Sequence, residues 1–317
     1  MSEALPSCPH YVQFYPTLRC NMNCSFCFNA GITKSDDITV EVFRRLAGIL
    51  AHAGVREIDI LGGEPTLHSS IEEIVRAACG EGLAVSLSSN GSRVPVMMEL
   101  LDAFGDSCSL GVSLNGAEID SPLDAFLTVH KPLVKSLYRE TAGSNESISA
   151  ILSKGIRKYY LIYPDIIAGN RKHSIPFQQF HHAIETLRKS VPNTEPVYCS
   201  GFLPDAATYP GLLAARCSAG VTKLGILPDG SVFPCNLFFG MEEFYLGNIL
   251  HDRFELIWNS PKLHFFRGFA KNRCPVSHCR LHAECHGGCP AHSVKYYGSL
   301  NGPDPRCAQL PLSLPLR

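Results

Sequence analysis

The chain has 317 residues, which is enough for one barrel-sized domain and a smaller second one. It is 45% hydrophobic and 18% charged, as globular proteins are, and its formal net charge of −1 provides no global field to attract nucleic acid or an anionic membrane. The sequence opens without a secretory signal, and no apolar run reaches the length of a membrane span. We therefore expect a cytoplasmic protein whose 14 cysteines are metal ligands or catalytic thiols, without disulfides.

Strand-like and helix-like stretches alternate over residues 11–205, which is the pattern of a parallel α/β fold. Residues 121–157 fit this alternation least well. Six strand–helix repeats are too few for a complete eight-stranded barrel, so they predict an open, partial (β/α)6 TIM-like barrel with its active site at the carboxyl ends of the strands. The predicted strands are 11–17, 56–61, 83–88, 109–114, 158–163 and 196–202.

An amphipathic helix is predicted over residues 40–53, with Asp37 or Thr39 as its N-cap. Its apolar stripe consists of Val42, Leu46, Ile49 and Leu50. After about Asp205 the alternation stops, proline and glycine become frequent and cysteines become denser. These changes predict two domains, a barrel over 1–205 and a small cysteine-rich domain over 206–317.

Three cysteines follow the first predicted strand in a C-x3-C-x2-C spacing, at Cys20, Cys24 and Cys27. Four thiolates would complete an iron–sulfur cube, whereas three leave one iron open for substrate chemistry. A zinc knuckle or unconnected free thiols are the alternatives. Zinc usually needs a fourth Cys or His in a paired spacing, and none follows Cys27 closely.

The second predicted strand ends in the sequence LGGEP, which contains Gly62, Gly63 and Glu64. Two glycines allow the backbone to approach a ligand closely, and a glutamate accepts hydrogen bonds from a cationic amine. By itself this sequence is more typical of a tight turn than of a ligand site.

Short polar side chains end the third and fourth predicted strands. They are Ser88 and Asn90 in SLSSNG, and Ser113 and Asn115 in GVSLNG. Such side chains can hold ribose hydroxyls. The alternative to a ribose-binding role is a pair of ordinary turns built by Asn-Gly.

The cysteines of the last third are also regularly spaced. Cys217 is followed by twelve residues, Gly230, four residues and Cys235. A second group follows at Cys274, Cys279, Cys285 and Cys289, and then comes Cys307. A zinc ribbon is the alternative to iron–sulfur clusters here, because His278, His282 and His286 lie among the cysteines.

The cysteine loop and the strand ends together resemble the radical SAM (S-adenosylmethionine) enzymes. The resemblance implies that Cys20, Cys24 and Cys27 hold a [4Fe–4S] cluster whose open iron chelates the cofactor. It implies that Phe26 packs near the adenine, and that Gly62, Gly63 and Glu64 contact the amino group. Ser88, Asn90, Ser113 and Asn115 would hold the ribose and methionine parts. The family often has an Asp where this chain has Asn115.

The last third resembles the SPASM domain, an extension of certain radical SAM enzymes that binds auxiliary iron–sulfur clusters. The resemblance implies one cluster on Cys217, Cys235 and Cys289, with a fourth ligand that is missing or supplied by a residue such as Cys199. It implies a second cluster on Cys274, Cys279, Cys285 and Cys307.

The sulfatase-maturing branch has an Asp base where this chain has Asn236, and an amide cannot take up a proton near neutral pH.

These resemblances imply a reductive cleavage of S-adenosylmethionine to a 5′-deoxyadenosyl radical, which takes a hydrogen atom from a peptide or protein side chain and leads to oxidation or crosslinking. They also imply an electron donor such as flavodoxin or ferredoxin. The alternatives are a small-molecule substrate, such as a tetrapyrrole side chain, and a non-catalytic iron–sulfur or zinc scaffold. About ten residues precede the first strand, so we expect no leader-binding domain fused at the N-terminus.

Overall fold

A computed structural model describes most of the chain as two compact units. The described residues are 6–29, 31–32, 35–114, 119–138, 151, 154–156, 158–165, 175–190, 192–198, 217–268, 274–279, 282–285 and 287–307. Within these ranges, no helix is long and apolar enough to cross a membrane. The first unit comprises 1–25, 29–134 and 219–267, and the second comprises 26–28, 135–218 and 268–317.

Ten strands occur in the described residues. They are β1 (Tyr11–Phe14), β2 (Glu57–Ile60), β3 (Ala84–Ser89), β4 (Cys108–Ser113), β5 (Leu133–Leu137), β6 (Tyr159–Ile162), β7 (Thr194–Val197), β8 (Lys223–Ile226), β9 (Ser231–Phe233) and β10 (Gly247–Asn248).

Nine α-helices occur in the same residues. They are α1 (Val40–His52), α2 (Ile71–Gly80), α3 (Val94–Phe104), α4 (Ser121–His130), α5 (Phe177–Ser190), α6 (Phe254–Trp258), α7 (His264–Gly268), α8 (His282–Cys285) and α9 (Pro290–Tyr297).

The first unit contains a sheet in the order β10-β9-β8-β1-β2-β3-β4. The strands from β8 to β4 run parallel, whereas β9 and β10 are antiparallel to their neighbours. Because parallel strands end at the same edge, the segments that follow β1, β2, β3 and β4 meet at one edge of the sheet.

Helix α1 shows how the sequence builds the outer layer of this unit. Its N-cap is Thr39, whose Oγ1 accepts a hydrogen bond of 3.3 Å from the backbone N–H of Val42. The buried stripe is Phe43, Leu46, Ala47 and Leu50. The predicted helix is thus confirmed, but the predicted stripe was partly wrong, since Val42 and Ile49 remain half-exposed and Phe43 is buried instead.

The second unit contains the parallel pair β6–β7, with β5 next to β6. Its core includes a group of aromatic rings in which the centroid of Tyr163 lies 5.2 Å from Phe177 and 5.0 Å from Phe180. The strand β5 lies in the segment that the sequence alternation described least well.

Candidate active site

The three predicted cluster cysteines lie on an irregular loop directly after β1. Cys20 is exposed, Cys24 and Cys27 are half-exposed, and none of the three is in a disulfide. Phe26, between the last two, is half-buried. The thiols are therefore accessible, and thiolates are the ligands that iron–sulfur clusters use.

The start of this loop is held by Arg19. Its guanidinium forms an ion pair with Asp37 and donates a further hydrogen bond of 2.8 Å to the carbonyl of Leu67. Partial burial raises the pKa of Asp37, but the hydrogen bonds from Arg19 and Thr17, together with the charge of Arg19, lower that pKa on balance. Asp37, one of the two residues predicted to cap the helix, therefore binds Arg19 at the start of the cysteine loop.

Two asparagines join the loop to the neighbouring strand ends. The Nδ2 of Asn29 donates 2.9 Å to the carbonyl of Gly62, after β2. The Oδ1 of Asn21 accepts 2.9 Å from Asn90, after β3, and its Nδ2 donates 2.8 Å to Ser92. The loop is thus tied to the ends of β2 and β3, at one residue directly after Cys20 and at another two positions after Cys27.

The two glycines after β2 are required by packing against the same loop. The backbone N–H of Gly63 donates 3.1 Å to the carbonyl of Thr17. A Cβ on Gly63 would lie 2.1 Å from the carbonyl oxygen of Arg19, and a Cβ on Gly62 would lie 2.5 Å from that of Thr17. Gly62 also has a φ of +136°, which side-chain-bearing residues rarely adopt.

Glu64 is buried and its carboxylate accepts four hydrogen bonds from the protein. Oε1 accepts from the backbone N–H of Thr66 (3.1 Å) and from the hydroxyls of Thr66 (2.6 Å) and Ser89 (2.8 Å). Oε2 accepts 2.6 Å from the backbone N–H of Asn90. With 1% of its surface exposed, Glu64 shapes the strand ends, a role that the sequence did not indicate.

The other predicted cofactor residues are placed as follows. Ser88 and Ser113 are half-exposed at the ends of β3 and β4, and Asn90 is half-exposed beside the cysteine loop. Asn115 and Cys199 lie outside the residues that the structure describes. The roles of all these residues in cofactor binding stay predictions.

In the second unit, neighbouring cysteines raise the pKa of Cys274 and of Cys285. Burial raises the pKa of the Cys285 thiol to about 11, and Cys307 and Cys274 add to this rise. Burial also raises the pKa of Cys274, with a further contribution from Cys279. A bound iron would supply the positive charge that deprotonates such thiols.

Cys217, Cys235 and Cys289 are each buried. Among the described side chains, no group of three or more His, Cys, Asp or Glu is arranged to hold a metal ion. The two auxiliary ligand sets therefore stay predictions.

A buried ionic network in the second unit was not predicted. His292 is fully buried; its Nε2 lies 2.8 Å from Asp165 and its Nδ1 3.4 Å from Asp304. Arg306 binds Asp304 through two bonds of 3.0 and 2.9 Å, and donates 3.2 Å to the carbonyl of Pro164. The network thus joins the segment after β6 to the residues between Cys289 and Cys307.

Charge complementarity maintains this network. Burial raises the pKa of Asp304, but Arg306 and His292 hold that pKa far below its usual range. Burial and Arg306 lower the pKa of His292, yet Asp165 and Asp304 raise it on balance. No local sequence motif indicated the network, because its members are up to 141 positions apart.

A parallel sheet with accessible thiols at its carboxyl edge, together with a second group of cysteines, has the features expected of an iron–sulfur protein built on a partial barrel. Residues 14–150 match the radical SAM superfamily, and residues 217–290 match the SPASM iron–sulfur cluster-binding domain. The predicted recognition and enzyme class are confirmed. S-adenosylmethionine and [4Fe–4S] clusters are the cofactors of these domains.

Two proteins are similar in sequence to this chain over most of its length. The antilisterial bacteriocin subtilosin biosynthesis protein AlbA of Bacillus subtilis is 25% identical over 85% of this chain, which spans 66% of AlbA. A PqqA peptide cyclase of Bradyrhizobium diazoefficiens is 23% identical over 93% of this chain and 85% of the cyclase.

The fold is similar to that of Streptococcus suis SuiB, whose crystal structure with bound S-adenosylmethionine gives a TM-score of 0.76 at 19% identity. The similarity covers 96% of this chain and 78% of SuiB. The predicted mixed α/β, partial-barrel fold is confirmed.

Proposed function

We propose that this chain is a peptide maturase, an S-adenosylmethionine-dependent radical enzyme that removes a hydrogen atom from a peptide or protein side chain. A peptide substrate is supported by the similarity to a bacteriocin biosynthesis protein and to a PqqA peptide cyclase. It is also supported by a structure of the similar protein SuiB bound to its precursor peptide SuiA. We further propose a single-electron donor such as flavodoxin or ferredoxin as a partner.

The observation that carries the proposal is the attachment of the cysteine loop to the Gly-Gly turn. Asn29 bonds the carbonyl of Gly62, while Gly63 and Glu64 donate backbone hydrogen bonds to Thr17 and Arg19. The loop that would hold the cluster and the turn that would hold the cofactor amine are therefore one connected structure. A scaffold that only stores iron has no need for such a cradle.

The residues fit the cofactors in their chemistry. Cys20, Cys24 and Cys27 would hold three irons of the first cluster and leave the fourth for the cofactor. Oδ1 of Asn29 is buried beside Gly62 without a hydrogen-bond partner, so an acceptor remains for a bound group. When bound, the cofactors supply the one-electron chemistry that breaks an unactivated C–H bond. The chain positions that carbon and excludes water and oxygen.

The proposal is tested by anaerobic reconstitution with iron and sulfide. Three cubane clusters correspond to roughly twelve irons, at about four per cubane. The triple variant of Cys20, Cys24 and Cys27 to Ala should lose about a third of the iron and all formation of 5′-deoxyadenosine. A zinc-loaded protein with little iron would contradict the proposal.

The substrate class is tested with small peptides encoded beside the gene. The reconstituted enzyme, cofactor and reductant should change the mass of a precursor peptide, and the triple cysteine variant should not. Cleavage of the cofactor without any change in such peptides would support a small-molecule substrate instead.

A further inference from the structure

A cavity of about 670 Å³ lies beside α1 in the first unit. Pockets that hold small ligands have volumes of roughly 300–1,000 Å³, so this cavity is large enough for one. It is lined by α1, by the segment that contains α6, and by Ser7. None of its lining residues belongs to the cysteine loop or to the segments that follow β2, β3 and β4.

The cavity lies at the amino end of the sheet. Ser7 precedes β1, and the lining residues His52 and Ala53 are at the end of α1, from which the chain enters β2. The cysteine loop instead follows the carboxyl end of β1, where the active site of a barrel of this kind is built. A ligand in this cavity would therefore occupy a second site, separate from the proposed active site.

Two helices form the walls of the cavity. Arg45, Ile49 and His52 are spaced three and four residues apart, so they lie on one face of α1. On α6 the lining residues Phe254 and Trp258 are 8% and 4% exposed and provide an aromatic wall. A polar helix face thus adjoins an apolar wall, as is typical of small-molecule sites.

The charge of Arg45 is not compensated by the protein. Its Nη2 donates 2.6 Å to the carbonyl of Leu250. Within the described ranges, no carboxylate forms an ion pair with Arg45, and this includes Glu41, one turn earlier on α1. Because a guanidinium has five N–H donors, enough remain to bind a carboxylate through two parallel hydrogen bonds.

The two acidic side chains that line the cavity are already engaged. Oδ2 of Asp252 accepts 2.7 Å from the backbone N–H of Asn248. Oε2 of Glu255 lies 3.7 Å from Nε of Arg253. Neither carboxylate is paired with Arg45, so the guanidinium of Arg45 is available to an anion from outside the chain.

A second cation adjoins the aromatic wall. The guanidinium carbon of Arg267 lies 4.1 Å from the ring centroid of Trp258, and its Nε donates 2.8 Å to the carbonyl of Gly220. Its Nη2 is buried without a hydrogen-bond partner, and among the described side chains no carboxylate pairs with it. Two uncompensated cations thus create a positive potential at the cavity.

We propose that this cavity binds a ligand that carries a carboxylate on an aromatic or aliphatic body. The carboxylate accepts hydrogen bonds from Arg45, and the apolar body lies against Phe254 and Trp258. The ring of His52 and the hydroxyl of Ser7 offer further donors at the rim. Such a ligand is either a small organic acid or a glutamate or aspartate beside an aromatic residue in a peptide.

The test uses the fluorescence of Trp258, which is the only tryptophan of the chain and lines the cavity. The reconstituted protein is titrated with 3-phenylpropionate and with 3-phenylpropionamide, which has the same shape but no charge. The acid should bind about tenfold more tightly, the factor that a charge-assisted hydrogen bond contributes. Calorimetric titration measures the same affinities independently of fluorescence.

Arg45→Gln should reduce this preference to about twofold, because the charge is lost. Arg45→Lys keeps the charge but not the planar pair of donors, so it should retain a preference of about fivefold. The control Arg44→Gln makes the same change at the neighbouring exposed position, which does not line the cavity, and should keep the full preference. Thermal unfolding verifies that each variant is folded.

Two further probes distinguish the sources of the ligand. They are a capped tetrapeptide of sequence Ala-Phe-Glu-Ala and its counterpart with Gln in place of Glu. A Glu peptide that binds more tightly than both its Gln counterpart and 3-phenylpropionate would assign the cavity to a peptide segment. Tighter binding of 3-phenylpropionate than of the Glu peptide would assign it to a small organic acid.

Equal affinities of 3-phenylpropionate and its amide for the wild type, including no binding of either, would overturn the carboxylate site. An undiminished preference in Arg45→Gln would overturn it as well. Neither measurement requires cleavage of S-adenosylmethionine, so the outcome is independent of the proposed function.

Discussion

The backbone N–H of Asn90 donates a hydrogen bond of 2.6 Å to Oε2 of Glu64, and this bond joins the turn after β2 to the end of β3. The other oxygen of Glu64 accepts three more hydrogen bonds, two from Thr66 and one from Ser89. A carboxylate has only acceptor sites, so it can satisfy all four donors at once.

Glu64→Gln should therefore lower stability and cofactor affinity together. In either orientation the amide nitrogen faces a backbone N–H, of Asn90 or of Thr66, and leaves that donor without an acceptor. The free energy of unfolding should fall by about 1–3 kcal/mol, and affinity for S-adenosylmethionine by about tenfold. Denaturant unfolding and calorimetric titration measure the two effects.

Glu72→Gln is the matched control for this substitution, because Glu72 is a half-exposed residue of α2 that forms an ion pair with Arg76 at the surface. Its unfolding free energy should change by less than about 0.5 kcal/mol. Lower stability with unchanged cofactor affinity would show that Glu64 shapes the turn but has no role in binding.

Asn29→Leu tests whether the attachment of the cysteine loop matters for the cluster. Leucine cannot donate to the carbonyl of Gly62, so the loop loses its fixed position beside β2. After reconstitution, the iron content should fall by up to about a third, the share of one cubane in three. Iron analysis and the absorption spectrum measure the loss.

The control Asn259→Leu removes an exposed amide whose bond is local, to the carbonyl of Glu255. It should keep the full iron content. A variant Asn29→Leu with all its iron and normal cofactor cleavage would contradict a positioning role for Asn29.

Those features of the site that depend on local spacing were predictable from the sequence. The three loop cysteines and Gly62-Gly63 lie within short motifs, and the strands that precede them carry clear alternation. Contacts between distant positions were not predictable. Asn21 and Asn90 are 69 positions apart, and nothing in either neighbourhood specifies a bond between them.

The strands β5 and β8 were missed for related reasons. The segment around β5 has no clear alternation, and β8, with sequence KLGI, is only four residues long. Its pairing with β1 forms across more than 200 positions of sequence. Such pairing depends on tertiary packing more than on local propensity.

Asp304→Asn should be strongly destabilising, because it removes the carboxylate between His292 and Arg306. Both cations are buried, and removal of one partner of a buried pair costs about 3–5 kcal/mol. Denaturant unfolding measures this loss. Asp165→Asn should cost less, since the Asp165 side chain is 27% exposed and water replaces part of its interactions. Equal effects of the two variants would contradict a central role for Asp304.

The last prediction concerns the cluster that the SPASM resemblance assigns to Cys217, Cys235 and Cys289. Residues 218–223 contain no fourth cysteine, so we expect an open iron that can bind a substrate thiolate. Metal binding lowers the pKa of a thiol and prepares it for carbon–sulfur bond formation, which favours a thioether-forming enzyme. A small added thiol should therefore change the electronic spectrum of this cluster in the wild type.

Cys199→Ala separates this hypothesis from its main alternative, in which Cys199 is the fourth ligand. With an open iron, the variant should have the wild-type iron content and spectrum and should respond to thiol in the same way. Cys8→Ala is the control, because Cys8 lies outside all predicted ligand sets. Labile auxiliary iron in Cys199→Ala alone would identify Cys199 as the ligand. A wild type that does not respond to thiol would remove the argument for thioether chemistry, because no exchangeable iron site would then be left for a substrate thiolate.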